Sequence, residues 1–240
     1  VPSFCQVYAP ESKIINHLSL KFYFRSTTLK NWTWVLIAFC VSACQNNDQQ
    51  TVVSGADISI QGINFIEQVN DQNADVVIPY SKHELDNGLT VILHQDTSDP
   101  LVHVDITYHV GSGREDLGKS GFAHFFEHMM FNGSKKYGPK MFDRTMEAAG
   151  GSNNAYTTEN LTVYTDWFPI SALETIFDLE ADRIGHLDLD PKMVESERGV
   201  VLSERSTGLE NSNFRNISEQ VKGAAFLAHP YRWSVIGYES

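Results

Sequence analysis

The fold is decided by residues 101–131, which read LVHVDITYHVGSGREDLGKSGFAHFFEHMMF. Apolar residues occupy every second position from 102 to 110, so a strand here has one apolar face and one mostly polar face. A glycine-rich loop follows, and then a helix that runs to about Phe131 and that Ser120 is expected to cap. Such a strand is typical of an antiparallel sheet that packs on helices with one face only.

The segments on either side continue this pattern of half-apolar strands and helices. Asp86-Asn87-Gly88 predicts a hairpin turn with positive φ at both central positions. The other predicted elements are strands at residues 89–94 and 161–167, helices at residues 141–149 and 171–186, and a long helix that Asp190 caps and Pro191 begins. We therefore predict an α+β fold, in which helices pack on one face of a mostly antiparallel sheet.

The predicted helix contains the motif His124-Phe-Phe-Glu127-His128, an H-x-x-E-H pattern. His124 and His128 are one helical turn apart, so both imidazoles project from one face and can share a metal ion. Two imidazoles and one carboxylate suit Zn²⁺ and leave a fourth position for water, whose proton Glu127 can take as a general base. A chain of this composition contains about 0.02 such matches by chance, which disfavours two histidines on a solvated face.

The long helix after residue 191 is expected to supply a third ligand. One stripe of this helix holds five residues: Met193, Glu197, Val200, Val201 and Glu204. The stripe is largely apolar and is expected to face the core, where carboxylates need a metal ion or hydrogen bonds. The spacing does not choose between Glu197 and Glu204. Ion pairs with Arg198 or Arg205 are the alternative for both.

Two other groups of residues compete for a functional role. Residues 113–120 match G-x-x-x-x-G-K-[ST], the loop that cradles phosphate in nucleotide hydrolases. Glu115 and Asp116 would place two negative charges in that cradle, which favours the alternative that the glycines only shape a loop.

The second group shares the polar face of the strand at residues 101–110 and consists of His103, Asp105 and His109. It could bind a metal ion, although such a set is more often a solvated sheet face.

Residues 1–44 are expected to lie outside the fold. A basic stretch precedes an apolar run at residues 32–43 that is too short to span a bilayer, and Val41-Ser42-Ala43-Cys44 resembles the lipobox of bacterial lipoprotein signals. This predicts a signal peptide over residues 1–44, a lipid anchor at Cys44 and a periplasm-facing protein of the bacterial cell envelope. Because the first methionine is Met129, the part before about residue 28 need not be translated. Residues 45–78 are polar and predict a linker.

The charge of the remaining chain excludes one class of partner. From residue 45 onward, 14 lysines and arginines stand against 29 aspartates and glutamates. Such an acidic body repels phosphate backbones, so no nucleic-acid partner is expected. All three cysteines lie in the first 44 residues, which leaves the body without a disulfide or a thiol nucleophile.

Several ordered segments between residues 80 and 240 resemble the pitrilysin family of zinc peptidases, which includes insulin-degrading enzyme and mitochondrial processing peptidase. The segments are Gly88-Leu-Thr-Val, Gly121-Phe-Ala-His-Phe-Phe-Glu-His-Met-Met-Phe, Gly150-Gly-Ser-Asn-Asn-Ala-Tyr-Thr, Glu197-Arg-Gly-Val-Val-Leu-Ser-Glu-Arg, and His229-Pro-Tyr-Arg-Trp-Ser-Val-Ile-Gly. The resemblance implies that residues 79–240 are the N-terminal zinc peptidase domain, C-terminally incomplete. It also implies a partner, a second similar domain or subunit that closes a chamber around the substrate.

The resemblance further implies a role for each site residue. His124, His128 and Glu204 would ligate one zinc ion per domain, and Glu127 would be the general base. Glu197 would support catalysis through contact with a ligand, without binding the ion itself. The substrate-binding stretch, which would hold an extended peptide by backbone pairing, is Asn153, Asn154 and Ala155. The implied activity is zinc-dependent hydrolysis of peptide bonds in extended peptides or small proteins. A non-catalytic, peptide-binding member of the family is the alternative.

Overall fold

The structure is a computed structural model that describes residues 3–9, 60–70 and 78–238. Its strands are β1 (Ser3–Ala9), β2 (Ile63–Val69), β3 (Tyr80–Leu85), β4 (Thr90–His94), β5 (Leu101–Tyr108), β6 (Ser152–Thr157) and β7 (Thr162–Pro169). Its helices are α1 (Phe122–Met129), α2 (Met141–Ala148), α3 (Leu173–Gly185), α4 (Pro191–Asn211) and α5 (Asn213–Ala225). None of the described helices has the length and apolar character needed to cross a bilayer.

The described strands form one sheet in the order β2-β3-β4-β1-β5-β7-β6. All neighbours are antiparallel except β1 and β5, which run parallel. Helices cover the inner face, where side chains of β5 and β7 meet α2 and α3. The centre of this core consists of Val102, Val104, Ile106, Phe142, Met146, Tyr164, Phe168, Ile176 and Leu179. The predicted α+β fold, a mostly antiparallel sheet with helices on one face, is confirmed.

The position of β1 differs from the sequence-based expectation. Residues 1–44 were expected outside the fold, whereas Ser3–Ala9 lies in the sheet between β4 and β5. Aromatic and β-branched residues give this segment a high strand propensity, and a strand between two others satisfies its backbone groups on both sides. Residues 45–78 were expected to form a linker, whereas Ile63–Val69 within that range lies in the sheet as β2, paired with β3. The apolar run at residues 32–43, Cys44 and the remaining part of the linker, apart from residues 60–70 and 78, lie outside the described residues.

The hairpin between β3 and β4 forms where the sequence predicts it, but with a different turn. The amide of Gly88 donates to the carbonyl of Leu85 at 2.8 Å, and the amide of Leu85 donates to the carbonyl of Leu89 at 2.8 Å. Gly88 has a φ of 84°, while Asn87 is not among the described residues with positive φ. One glycine in the left-handed region is therefore enough, because the loop has three residues rather than two.

A buried charged cluster, formed by Asp166, Glu180 and Arg183, lies inside the core. Arg183 is 1% exposed and donates to Glu180 through Nε at 3.0 Å and Nη2 at 2.6 Å, while its guanidinium lies over the ring of Phe142. Asp166 is also 1% exposed, and its carboxyl faces the carboxyl of Glu180. Burial, and then the nearby carboxyl of Glu180, raises the pKa of Asp166 to about 9, so this carboxyl is protonated at neutral pH.

The C-terminal segment, residues 230–238, packs against the start of α1. The indole Nε1 of Trp233 donates to the carbonyl of Ser112 at 2.8 Å. A Cβ on Gly237 would lie 2.4 Å from the carbonyl oxygen of Ser120, and a Cβ on Gly121 would lie 2.6 Å from that of Ile236. Both glycines also have positive φ, so side chains are excluded from this contact by conformation as well as by space.

Candidate metal centre

Helix α1 begins with a cap that the sequence analysis did not predict. The carboxylate of Glu115 accepts from the amides of Gly121 and Ala123, each at 2.8 Å. Ser120 was expected to cap this helix, but the cap residue is Gly121, which offers no side chain. Glu115 reaches the free amides because the loop folds back over the first turn, and its negative charge suits the positive end of the helix.

This cap also argues against the phosphate-binding loop at residues 113–120. In a nucleotide hydrolase, the free amides at the start of the helix bind phosphate. Here the carboxylate of Glu115 takes the amides of Gly121 and Ala123. Gly113 lies in a short 3-10 turn and packs against Glu159 and Tyr231, where it leaves no room for a Cβ. The loop therefore positions α1 and the C-terminal segment.

Helices α1 and α4 bring His124, His128 and Glu204 together. Nε2 of His128 lies 3.4 Å from Oε2 of Glu204, and Nε2 of His124 lies 3.7 Å from the same oxygen. One nitrogen or oxygen from each residue lies within 4.8 Å of the others. The two histidines come from adjacent turns of α1, whereas Glu204 is placed by the packing of α4 against α1.

These three side chains fit a zinc ion. Ligand atoms bound tetrahedrally at about 2.1 Å are about 3.4 Å from one another, close to the two distances to Glu204. Burial is the main cause that lowers the pKa of His124, so its ring is neutral and has a lone pair for a metal ion. The Nδ1 atom of His124 is buried without a hydrogen-bond partner, whereas Nε2 faces Glu204.

Glu197 holds the second histidine from behind. Its Oε1 lies 2.8 Å from Nδ1 of His128, and its Oε2 accepts from Nδ2 of Asn132 at 2.9 Å. The bond to Nδ1 orients the ring so that Nε2 faces Glu204. The two glutamates that the helical spacing could not distinguish thus have different places: Glu204 faces both imidazoles and Glu197 lies behind one of them.

The environment of α4 differs from the expectation in one respect. The stripe that carries both glutamates was expected to be core-facing, but the side chain of Glu204 is 40% exposed and Val200 is 49% exposed. Only Val201 of this helix is buried among the described residues. The stripe faces α1 and an open cavity rather than the core. The alternative ion pairs are absent from the described part, where Arg205 pairs with Glu219 and Arg198 with Glu195.

Glu127 faces the same cavity as the three possible ligands. A cavity of about 430 Å³ is bordered by His124, Glu127, His128 and Glu204. The hydroxyl of Thr157 on β6 donates to Oε2 of Glu127, and Thr157 in turn contacts the hydroxyl of Thr162 at 3.2 Å. Burial raises the pKa of Glu127, and the hydrogen bond from Thr157 partly opposes that rise. A carboxylate with a raised pKa is a stronger base, so this position suits proton transfer.

Strand β6 forms one wall of this cavity. It is the last strand of the described sheet, and its residues Ala155, Tyr156 and Thr157 border the cavity. Asn153 and Asn154 lie on the same strand, and Nδ2 of Asn153 donates to Asp143 on α2 at 3.2 Å. An edge strand presents backbone donors and acceptors that an extended peptide can pair with.

The polar residues of β5 take no part in the centre. His103 stacks on Trp167 with ring centroids 3.9 Å apart, and its Nε2 lies 3.3 Å from Oδ1 of Asp105. The side chains of His103 and Asp105 are 14% and 16% exposed, so this face is more covered than the solvated face that was expected. Within the described ranges, neither they nor His109 belong to a group that could hold a metal ion.

Three residues at the site were missed by sequence reasoning. Thr157 holds Glu127, Asn132 holds Glu197, and Arg215 on α5 borders the cavity. Asn132 had only its closeness in sequence as a signal, since it follows His128 by four residues but lies beyond the end of α1 at Met129. Thr157 and Arg215 had none, because β6 and α5 meet α1 only through the tertiary fold.

Comparison with known proteins finds a family model and several relatives that match this chain. The model of the family Insulinase (Peptidase family M16) matches residues 90–237, more than half of the chain. Zinc protease PqqE of Helicobacter pylori is 34% identical over 161 residues, which are 65% of this chain and 36% of that protein. The crystal structure of pitrilysin superposes with a TM-score of 0.64 at 29% identity, over 73% of this chain and 19% of pitrilysin.

Some relatives carry a name that mentions no peptidase. Cytochrome b-c1 complex subunit 1, mitochondrial, of Rattus norvegicus is 30% identical over 154 residues, which are 64% of this chain and 32% of that protein. Its name describes a subunit of a larger complex. The chain spans about a third of the length of both curated relatives.

Proposed function

The chain belongs to the insulinase family, peptidase family M16, and from this premise we propose that it is a zinc-dependent endopeptidase for extended peptides or small proteins. One observation carries the proposal: two imidazoles and one carboxylate, within 4.8 Å of one another, share a cavity with the carboxyl of Glu127. Ligands that can hold zinc, beside a separate carboxylate that can move a proton, are what hydrolysis of a peptide bond needs.

His124, His128 and Glu204 would hold one zinc ion per domain. When bound, zinc supplies Lewis acidity, which polarises a carbonyl group and makes water more acidic. Glu197 keeps the ring of His128 in its orientation through the 2.8 Å contact with Nδ1. A ligand that is already oriented loses less conformational freedom when the metal binds, so Glu197 strengthens the site without contacting the ion.

Glu127 would act as the general base and then as the general acid. Its carboxylate accepts a proton from the attacking water and later gives that proton to the leaving amine. Burial raises its pKa, which strengthens the base, and the hydroxyl of Thr157 fixes Oε2 so that the other oxygen is free to face the cavity. Glu127 thereby needs no large movement between the two proton transfers.

The substrate would lie along β6 as an additional strand. Asn153, Asn154 and Ala155 belong to this edge strand, and Ala155 borders the cavity. Backbone pairing recognises an extended conformation rather than one sequence, which fits unfolded peptides and small proteins.

Two variants test the proposal on the chain loaded with zinc. Glu127→Gln should retain zinc by elemental analysis and lose cleavage of an internally quenched peptide by at least about 100-fold, because the amide cannot accept the proton. Glu204→Ala should lose zinc, because the two imidazoles that remain are too few ligands to hold the ion. Glu195→Gln is the matched control, since Glu195 lies on α4 with its side chain 77% exposed, and it should retain both properties. Unchanged turnover in Glu127→Gln would contradict the role of Glu127 as the base.

The alternative is a family member that binds peptides without cleaving them. The similarity to a subunit of the cytochrome b-c1 complex supports it. The two functions separate in the same assay, since such a protein would bind peptide and zinc while the unaltered chain releases no product. A nucleotide hydrolase that uses residues 113–120 is disfavoured by the position of Glu115, and loss of activity in Lys119→Ala but not in His124→Ala would favour it.

We also propose a partner and a location. A second similar domain or subunit would close the open side of the cavity, and the length of the relatives supports this, since the chain spans only about a third of each.

A lipid anchor at Cys44 would hold the protein on the periplasmic side of a bacterial cell envelope, as the lipobox-like sequence suggests. Mass spectrometry of the mature N-terminus tests the anchor, and an unmodified Cys44 would exclude it.

A further inference from the structure

Arg215 differs from the other cations near the cavity because it lacks an ion pair. Arg205 pairs with Glu219 at 2.8 Å, and Lys222 pairs with Glu159. Within the described part of the chain, no carboxylate lies within ion-pair distance of the guanidinium of Arg215. The carboxylate partners of Arg205 and Lys222 already accept their hydrogen bonds and offset their charge. Arg215 is therefore the cation here that can still bind a carboxylate of a ligand.

Arg215 lies beside the candidate metal centre. Its side chain borders the cavity that contains His124, Glu127 and Ala155. It also borders two further depressions beside that cavity, one shared with Glu204 and the other with Lys222. A ligand in the cavity would therefore lie within reach of this charge.

The backbone of the neighbouring helix makes room for this side chain. Arg215 lies in the first turn of α5, where its amide donates to the hydroxyl of Ser212 at 3.2 Å. The side chain then crosses α4 at Gly208, where a Cβ would lie 1.7 Å from Nη1 and 2.7 Å from Cζ. Any other residue at position 208 would push the guanidinium out of its place. The position of the charge thus depends on a glycine inside a helix, where glycine otherwise lowers stability.

We propose that Arg215 forms a carboxylate-binding subsite beside the metal centre, which binds an acidic side chain or the C-terminal carboxylate of a peptide held along β6. A guanidinium binds a carboxylate through two parallel hydrogen bonds, which an unpaired and accessible arginine can provide. The chain has a net charge of −12, so an acidic peptide is repelled by the rest of the surface and needs a local cation. This inference rests on the proposed function, because it assumes a peptide in the cavity.

Binding to the zinc-loaded Glu127→Gln variant tests the subsite without turnover. Fluorescence anisotropy would compare a neutral peptide, peptides with one glutamate at successive positions, and a peptide ending in a free acid or an amide. We expect a carboxylate at one position to tighten binding about fivefold, which is the scale of a partly exposed charged hydrogen bond. The glutamate series and the two C-terminal forms identify the source of the carboxylate. The preference should shrink as salt is raised.

Three second-site variants in the same background assign the effect. Arg215→Gln should abolish the preference and leave binding of the neutral peptide unchanged. Gly208→Ala should weaken the preference although the charge is retained, because Cβ displaces the guanidinium. Arg198→Gln is the matched control, because it removes the same charge from an arginine of α4 that is 60% exposed and does not border these cavities. It should keep the preference.

The possible failures are distinguishable. Equal affinity for neutral and acidic peptides, or a preference that survives Arg215→Gln, overturns the subsite and leaves the proposed peptidase in place. If no peptide binds, and the unaltered zinc-loaded chain cleaves none, the proposed function fails and the subsite fails with it.

Discussion

Replacing Asp166 by asparagine should remove a large pH dependence of stability. Asp166 is 1% exposed in the core, and burial followed by the carboxyl of Glu180 raises its pKa from 3.8 to about 9. The folded protein therefore keeps a proton on Asp166 at pH values where the unfolded chain has released it. Asparagine has nearly the same shape as the protonated acid and has no charge at any pH.

The magnitude follows from this one proton. Because the pKa of Asp166 is higher in the folded state, its stabilising contribution is complete below pH 3.8 and is lost as the pH rises towards about 9. Between these values, binding of one extra proton by the folded state changes the free energy of unfolding by about 1.4 kcal/mol per pH unit. From pH 5 to pH 8, the unaltered protein should therefore lose about 4 kcal/mol relative to Asp166→Asn.

Urea denaturation followed by circular dichroism, at intervals from pH 5 to pH 8, measures this difference. Other groups also titrate in that range, but they are common to both proteins and cancel when the two free energies are subtracted. We expect Asp166→Asn to be the more stable protein at pH 8, by a margin that shrinks as the pH falls. Parallel curves for the two proteins would show that Asp166 is ionised in the folded state, and would refute the reasoning.

Two further predictions concern residues that orient His128 and Glu127 without binding the metal ion. Glu197→Gln should lower the affinity for zinc about 10-fold to 100-fold, because the ring of His128 loses its charged partner; a chelator competition assay measures this, and unchanged affinity would contradict the orienting role. Thr157→Val should lower kcat about tenfold while zinc content and KM stay the same, because Glu127 loses the hydroxyl that fixes it. Thr157→Ser should restore kcat, and equal loss in both variants would indicate a packing role instead.

The parts of the fold that depend on local pattern were predicted from the sequence. The alternation at residues 101–110 predicted β5, and the buried residues Val102, Val104 and Ile106 lie on one face as expected. Asp190 caps α4 by accepting from the amide of Lys192 at 2.7 Å. These features were predictable because periodicity and capping involve residues within a few positions of one another.

Other features of the fold could not be obtained in this way. The place of β1 between β4 and β5 depends on pairing between segments more than 80 residues apart. The cap of α1 by Glu115, rather than by Ser120, depends on the path of the loop between them. Asp166 lies on the inner face of β7 among apolar residues, and its neighbours Glu180 and Arg183 come from α3. The sequence alone does not show that these side chains of β7 and α3 meet in the core.

The sequence by itself determined the two histidines and Glu127, because one turn of a helix places them on one side whatever the rest of the chain does. Only the tertiary structure decided that Glu204 faces both imidazoles while Glu197 lies behind His128. The physical reason is that both glutamates share one stripe of α4, so their spacing makes them equivalent. They become different when α4 packs against α1 in one particular register.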